Sequence, residues 1–213
     1  MLVTCWSVKG GSGTTVIAAA VSLLLARRLP DDVVLLDIGG DAPAALGLPD
    51  LGGPGVLDWL ATPGLEPSAL GRLEVDAGAG LRLLPRGTAA VPLGADIERL
   101  VEALGDRSAV VVDAGPASPL AFDLAAGATV SLLVLRPCYL ALRRALAAPV
   151  RPSAVVVIEE PKRSLDPTDI EDVLGVPVRA VVPWDPAIAR CVDAGLLAAR
   201  LPGPLASALR RAA

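Results

Sequence analysis

The stretch Leu2-Val3-Thr4-Cys5-Trp6-Ser7-Val8-Lys9-Gly10-Gly11-Ser12-Gly13-Thr14-Thr15 decides the reading of this chain. An apolar run from Leu2 to Val8 enters a glycine-rich turn, and helix-forming residues follow from Thr14 to Arg28, so the order is strand, loop, helix. A loop of this kind aims backbone N–H groups and a helix N-terminus at an anion. Its common form, G-x-x-x-x-G-K-[ST], adds a lysine for the β- and γ-phosphates and a Ser or Thr for magnesium. Thr14 stands where that lysine belongs, Thr15 fills the magnesium position, and Lys9 sits ahead of the glycines. Lys9 is one of only two lysines in the chain, with Lys162 the other, so its placement is not background composition. Lys9, Gly10, Gly11, Ser12, Gly13, Thr14 and Thr15 are the candidate phosphate-binding residues.

Outward from the loop, short β-rich runs alternate with helical ones, as in a parallel sheet wrapped by helices. Strands are expected at Leu2–Val8, Val33–Asp37, Leu81–Leu84, Ala109–Asp113, Thr129–Leu135, Ala154–Ile158 and Val178–Val182. Most are continuous apolar runs, as strands buried on both faces should be. Helices are expected at Thr14–Arg28, Ala95–Leu104, Pro119–Ala126, Tyr139–Ala147, Pro167–Leu174 and Pro186–Ala194. Asp166-Pro167 and Asp185-Pro186 supply a capping carboxylate and a proline at the first helical position, and Gly175 and Gly195 follow the last turns. The Gly- and Pro-rich segment Leu46–Pro67, with a short helix at Val56–Leu60, reads as an elaborated connection on the ligand side of the sheet.

The 213 residues suit one α/β unit, expected to span 1–213 with a tail helix over 196–213. Hydrophobic residues make up 53% and aromatics only 2%, so the core is built from Ala, Val and Leu and no stacking surface for single-stranded nucleic acid is available. A formal charge of −4 argues against a broadly basic nucleic-acid-binding face. There is no histidine, and Cys5, Cys138 and Cys191 have no metal-ligand spacing, which removes histidine triads and ordinary zinc sites. The three cysteines read as reduced, buried thiols of a cytoplasmic protein. No apolar stretch reaches the ~20 residues of a spanning helix.

Two strands end in aspartate: Val33-Val34-Leu35-Leu36-Asp37 and Val110-Val111-Val112-Asp113. Both carboxylates are expected at the carboxyl edge of the sheet, where open α/β folds bind ligands. The plainer reading of Asp113 is a turn former or cap.

The pattern Lys9-Gly10-Gly11-Ser12-Gly13-x-Thr15 resembles the K-G-G-x-G-K-[ST] loop of the ParA/MinD family of deviant Walker A P-loop ATPases at every position but one. The resemblance runs from Leu2 to about Leu197: Leu81 to Gly87 looks like the family's third strand and P-x-G turn, and Val178 to Asp185 like its late strand and P-x-D turn. It implies a three-layer P-loop NTPase-type α/β sandwich with a mostly parallel central sheet, and ATP or ADP with magnesium as cofactor. It also implies a homodimer in which Lys9 reaches the partner's nucleotide. By the same resemblance Asp37 is the switch I aspartate, Thr15 and Asp113 hold magnesium, partly through water, and Pro183, Trp184 and Asp185 flank the base.

Three positions depart from the family: Thr14 replaces the second lysine, Gly39 replaces the second aspartate of D-x-D, and Glu159-Glu160 follow the sixth strand where an asparagine reads adenine. Removing one preorganised contact to a transferred phosphoryl group costs on the order of 3 kcal/mol, a hundredfold or more in rate. Nucleotide binding with impaired or absent hydrolysis is therefore expected. Members that lose catalytic groups and keep the scaffold resemble the TadZ/CpaE-type proteins of pilus machinery and the septum-site-determining proteins of division, which implies a protein partner and a cytoplasmic site with recruitment to the membrane periphery.

Other readings stay open. A pseudo-ATPase scaffold without nucleotide explains the same departures. Gly11-Ser12-Gly13 with Asp37 imitates a Rossmann oxidoreductase fingerprint, although Val16 replaces its third glycine and Tyr139 is followed by Arg143 in place of a lysine. The tail, with Arg200, Arg210, Arg211 and the pair Leu205 and Leu209, reads as a docked surface helix, with membrane contact the alternative. Arg136, Arg143, Arg144 and Arg151 are the candidate basic patch. Trp184 is either packed in its loop or offers a stacking face.

Overall fold

Runs of Val and Leu that can be buried on both sides pair into a central sheet, because each strand then loses apolar surface to both helix layers. The computed structural model describes residues 1–30, 32–92, 94–210 and 212. In it, β1 (Leu2–Ser7), β2 (Val33–Asp37), β3 (Val75–Asp76), β4 (Leu81–Leu84), β5 (Ala109–Pro116), β6 (Val130–Leu135), β7 (Ala154–Ile158) and β8 (Val178–Val182) form one eight-stranded sheet. Its order is β3-β4-β2-β5-β1-β6-β7-β8, and every pairing is parallel except β3 with β4.

The period of two sorts each strand's side chains between two cores. Val33 and Leu35 face a layer made of α1 (Thr14–Ala26), α2 (Ala42–Leu46), α9 (Pro186–Asp193) and α10 (Gly203–Leu209). Val34 and Leu36 face the opposite layer of α3 (Val56–Leu60), α4 (Pro67–Gly71), α5 (Ile97–Ala103), α6 (Pro119–Ala126), α7 (Tyr139–Leu146) and α8 (Pro167–Leu174). Helix α1 is buried at every position from Ile17 to Ala26, and its alanines allow close approach to the sheet. Its one polar side chain there, Ser22, donates to the Ala18 carbonyl at 2.8 Å.

The expected strands and longer helices are present within a residue or two at their ends, apart from β5, which runs on to Pro116. The caps form as the sequence predicts: Asp166 accepts from the Asp169 N–H and Asp185 from the Ala187 N–H, while Gly175 and Gly195 take positive φ. Three short elements went unforeseen, namely β3, α2 and α4, each too brief to show a hydrophobic period. Helix α3 lies beside the carboxyl end of β4, where the Val56 and Leu57 N–H groups donate to the Pro85 and Arg86 carbonyls.

Two expectations need correction. The tail is helical only over Gly203–Leu209, because Pro202 and Gly203 interrupt the chain, and Leu196–Arg200 forms turns. Leu205 and Leu209 are fully buried against the α1 side of the sheet, so the apolar face offered as a membrane contact is spent inside the fold. Arg211 lies outside the described residues. Of the cysteines only Cys5 is buried, with Cys138 and Cys191 half-exposed; all three are free thiols. No helix among the described residues is long and apolar enough to cross a membrane.

Candidate functional site

The loop leaving β1 is shaped by two glycines. Gly11 and Gly13 have φ of +73° and +91°, a region L side chains rarely enter, and Gly13 occupies the N-cap of α1 in the left-handed conformation. The Lys9 carbonyl gathers the turn by accepting from Ser7 Oγ at 2.9 Å and Ser12 Oγ at 3.0 Å. Ser12 and Thr14 are buried, while Gly10 and Gly11 lie exposed, and an added Cβ on either would meet nothing within 4 Å. Backbone is thus presented to an open groove at a helix N-terminus.

That groove has a volume of about 700 Å³ and is lined by Gly10 to Val16 of the loop and α1 start, Gly39 and Asp41 after β2, Gly115 and Pro116 of β5, and residues of α2 and α9. Two helix ends close it on the α1 side. Gly47 after α2 and Gly195 after α9 touch backbone to backbone, and a Cβ on Gly47 would fall 2.0 Å from the Gly195 carbonyl oxygen. Lys9 is half-buried, is not among the lining residues and makes no ion pair among the described residues.

Beneath the groove lie the two strand-end carboxylates. Asp37 and Asp113 are register partners on β2 and β5, and both are fully buried. Asp37 accepts from the Gly40 N–H at 2.6 Å and the Ala42 N–H at 3.3 Å, so it ties the loop after β2 to the first turn of α2. Burial pushes its carboxyl up to about 7, the Asp113 charge adds to this, and the Gly40 N–H opposes it. Asp113 is pushed up to about 6, again by burial first, with the Thr15 hydroxyl and the Gly115 N–H pulling it down and Asp41 pushing it up. Asp113 Oδ1 accepts from Gly115 at 3.1 Å, so the turn-forming reading of this residue holds for one oxygen. Oδ2 is buried without a hydrogen-bond partner among the described residues.

Gly39 is more than a lost aspartate. A Cβ there would lie 3.0 Å from Asp113 Oδ2, a tight contact that the Asp113 carboxyl would have to relieve by shifting. The loop is braced from outside by Arg86, whose Nη1 donates to the Ile38 carbonyl.

A second cavity, of about 240 Å³, adjoins the first through Gly13, Val16, Val192 and Asp193. Pro183, Trp184 and Asp185 line it, with Arg136, Ile158 and Ile188. Trp184 is 52% exposed at its wall, which corrects the packed-loop reading. Arg136 is one of the four arginines of the candidate basic patch. It pairs with Glu160 at 3.1 Å inside this wall, while Arg151 donates to the Leu174 and Gly175 carbonyls, so the four arginines do not form one surface. Its position right after β6, at the carboxyl edge of a parallel strand, was the signal available in the sequence.

The oxidoreductase reading fails on topology. β5 lies between β1 and β2, so Asp37 sits beside Asp113 and not next to the glycine loop as a dinucleotide fingerprint requires. Tyr139 is 76% exposed and lines neither cavity. Among the described residues no three His, Cys, Asp or Glu side chains cluster as a metal site.

No protein-family model matches the sequence, and no curated protein matches it. In three dimensions the chain is similar to MinD in the MinC:MinD cell division protein complex of Aquifex aeolicus, at 23% identity over 98% of this chain and 92% of that one, with a TM-score of 0.76. It is similar to the septum site-determining protein MinD of Pyrococcus horikoshii complexed with Mg-ADP, at 22% identity over 97% and 91% of the two chains and a TM-score of 0.74. A ParA family ATPase from Chlorobium tepidum gives 22% identity, 98% and 96% coverage and a TM-score of 0.72. The fold is that of MinD and the ParA-family ATPases.

Proposed function

We propose that this chain is a nucleotide-operated positioning or assembly factor of the MinD/ParA type, which binds a magnesium-bound nucleoside di- or triphosphate and hydrolyses it slowly or not at all. The observation that carries the reading is the buried Asp113 carboxylate, which has the Thr15 hydroxyl near it and no hydrogen bond of full geometry on Oδ2, next to a loop whose glycines hold open backbone at the start of α1. An orphaned carboxylate oxygen at full burial is costly unless a cation or a donor meets it. Thr15 and Asp113 would hold magnesium, and the N–H groups of Gly10 to Thr15 would hold phosphate. Magnesium supplies charge neutralisation on the phosphate oxygens.

Thr14 and Gly39 are the reasons for slow turnover. Thr14 brings no charge to the transferred group, and Gly39 supplies no carboxylate to orient water. Asp37 spends its oxygens on Gly40 and Ala42, which favours a role in holding the loop over one in catalysis.

Lys9 does not line its own groove, which suits a group that acts on a second copy across a homodimer. MinD of Aquifex aeolicus assembles with MinC. By likeness this chain recruits a protein partner of a division or pilus apparatus in its nucleotide-bound form. Phosphate release and sedimentation test the reading together. The expected result is magnesium-dependent nucleotide binding, no phosphate release above background, and nucleotide-dependent dimerisation lost in Lys9→Ala. Steady turnover would overturn the claim of impaired hydrolysis, and a chain that binds no nucleotide would be a scaffold.

A further inference from the structure

Helix α7 spends little of its apolar surface inside the fold. Only Ala141 and Leu142 are buried, while Tyr139, Leu140 and Leu146 stand in solvent, Leu146 with 61% of its surface exposed. Beside it packs α8, whose Val173 is exposed as well. A groove of about 590 Å³ runs between α7 on one side and Lys162 to Leu165 with Val173 of α8 on the other. Pro137, Cys138, Leu142 and Leu165 are its more buried lining, and Tyr139, Leu146 and Val173 its exposed edges. Apolar side chains gathered along one groove mark an interaction surface, where the same residues scattered singly would not. A smaller hollow of about 280 Å³ adjoins it through Leu146, lined by Ala148, Pro149, Val150 and Leu174 among others.

The charged lining is of one sign. Arg143, Lys162 and Arg163 edge the groove and Arg151 the hollow, with no carboxylate in either lining among the described residues. Arg143 and Lys162 make no ion pair among those residues, in a chain whose formal charge is −4. Arg163 is different: its Nε donates to Glu160 at 2.6 Å, which offsets its charge and holds the guanidinium at the rim. Most acids of α8 are spent locally. Asp166 and Asp169 accept each other's N–H groups, and Glu171 accepts from the Val178 N–H; Asp172 is exposed but outside the lining.

The groove is bounded by helices, whose backbones bond internally, so it offers side chains and no open strand edge. An amphipathic helix suits it, because such a segment satisfies its own backbone and lays apolar anchors at i, i+3 or i+4 and i+7 into a groove of this kind. Acidic flanks would meet Arg143 and Lys162, and complementary charge at a rim fixes orientation and speeds encounter. A bilayer matches less well, since it takes up apolar groups that project from a helix face, whereas Leu142 is recessed.

We propose that this groove docks an acidic amphipathic helix of a different protein, with Tyr139, Leu142, Leu146 and Val173 taking its apolar face and Arg143 and Lys162 its carboxylates. The proposal rests on the reading of the chain as a factor that recruits a protein partner, and names the surface and the kind of segment. None of these residues lines the two cavities at the glycine loop, so the docking surface and the nucleotide site can fail separately.

Affinity selection from displayed random segments of about fifteen residues, roughly four helical turns, tests it on the full chain with and without magnesium and ATP. Enriched segments are expected to be acidic with apolar residues at helical spacing, and synthetic copies to gain helix content on binding. Their affinity is expected to fall about tenfold in the double variant Arg143→Glu with Lys162→Glu, and about tenfold in Leu146→Ser. Rising salt is expected to weaken binding to the wild-type chain. All three positions are exposed, and circular dichroism is expected to show both variants folded. No enriched segment, segments of neutral or basic composition, or affinities indifferent to both variants overturn the proposal. So does sedimentation with phosphatidylglycerol vesicles that the double variant loses, which assigns the groove to a membrane, or self-association that it loses, which assigns it to a second copy. A chain that selects acidic helices and binds no nucleotide keeps the groove and loses the nucleotide switch.

Discussion

Asp37 and Asp113 lie side by side as register partners on adjacent parallel strands, fully buried at the carboxyl edge of the sheet, with one oxygen of Asp113 unpartnered. Burial disfavours the charged form of both, and the Asp113 charge adds to the effect on Asp37. Each is held above its ordinary value of 3.8, Asp37 at about 7 and Asp113 at about 6.

The shifts fix the sign of a pH dependence. Both groups bind protons more tightly folded than unfolded, so the folded chain holds more protons between the unfolded and folded values, and stability falls as pH rises through that window. The stabilising contribution is complete below the unfolded value and lost above the folded one. The melting temperature of magnesium-free protein is expected to decline from about pH 4 to about pH 7, and to decline less in Asp113→Asn. A calorimetric pH series checks this, and added magnesium with nucleotide is expected to recover the loss at the upper end.

Gly39→Asp rebuilds the missing switch carboxylate in sequence only. Its Cβ would meet Asp113 Oδ2 at 3.0 Å, and a third carboxylate would enter a buried pair. Urea unfolding is expected to show a loss of about 2–3 kcal/mol at neutral pH, against about 1 kcal/mol for Gly39→Ala, with no gain in phosphate release.

The contact between Gly47 and Gly195 sets the spacing of α2 and α9 beside the groove. Gly47→Ala has both a backbone oxygen at 2.0 Å and a φ of +84° against it, and is expected to cost about 2–4 kcal/mol. Nucleotide affinity is expected to fall with it. Circular dichroism with denaturant separates the two effects, since Gly203→Ala, which meets nothing within 4 Å, should leave both nearly unchanged.

Leu205 and Leu209 are core residues in this fold. Leu205→Ala is expected to lower stability by about 2–5 kcal/mol, as buried leucine truncations do, measured by urea unfolding. Wild-type protein is expected not to sediment with anionic vesicles through this helix.

Much of this was legible in the sequence because the strands are continuous apolar runs and two of them end in aspartate, which places Asp37 and Asp113 at one sheet edge from local pattern alone. The glycine loop announced itself in the same way. What stayed hidden depends on distances between segments far apart in the chain. Gly39 reads as a simple loss until Asp113 is seen to lie tight against it, and nothing near Gly47 foretells Gly195. Arg136 looked like a surface charge because its partner, Glu160, lies a strand and a helix away. Helix α2 is a single turn with no period to read.

The central claim is that the loop binds nucleotide although Thr14 replaces its lysine. Thermal stability of the purified chain with magnesium and millimolar ATP, ADP, GTP or GDP, repeated on Thr15→Ala and Asp113→Asn, tests it most directly. A ligand stabilises the state it binds. A rise of several degrees with a nucleoside di- or triphosphate, reduced in both variants, is the predicted result. An unchanged melting temperature with all four nucleotides would contradict it.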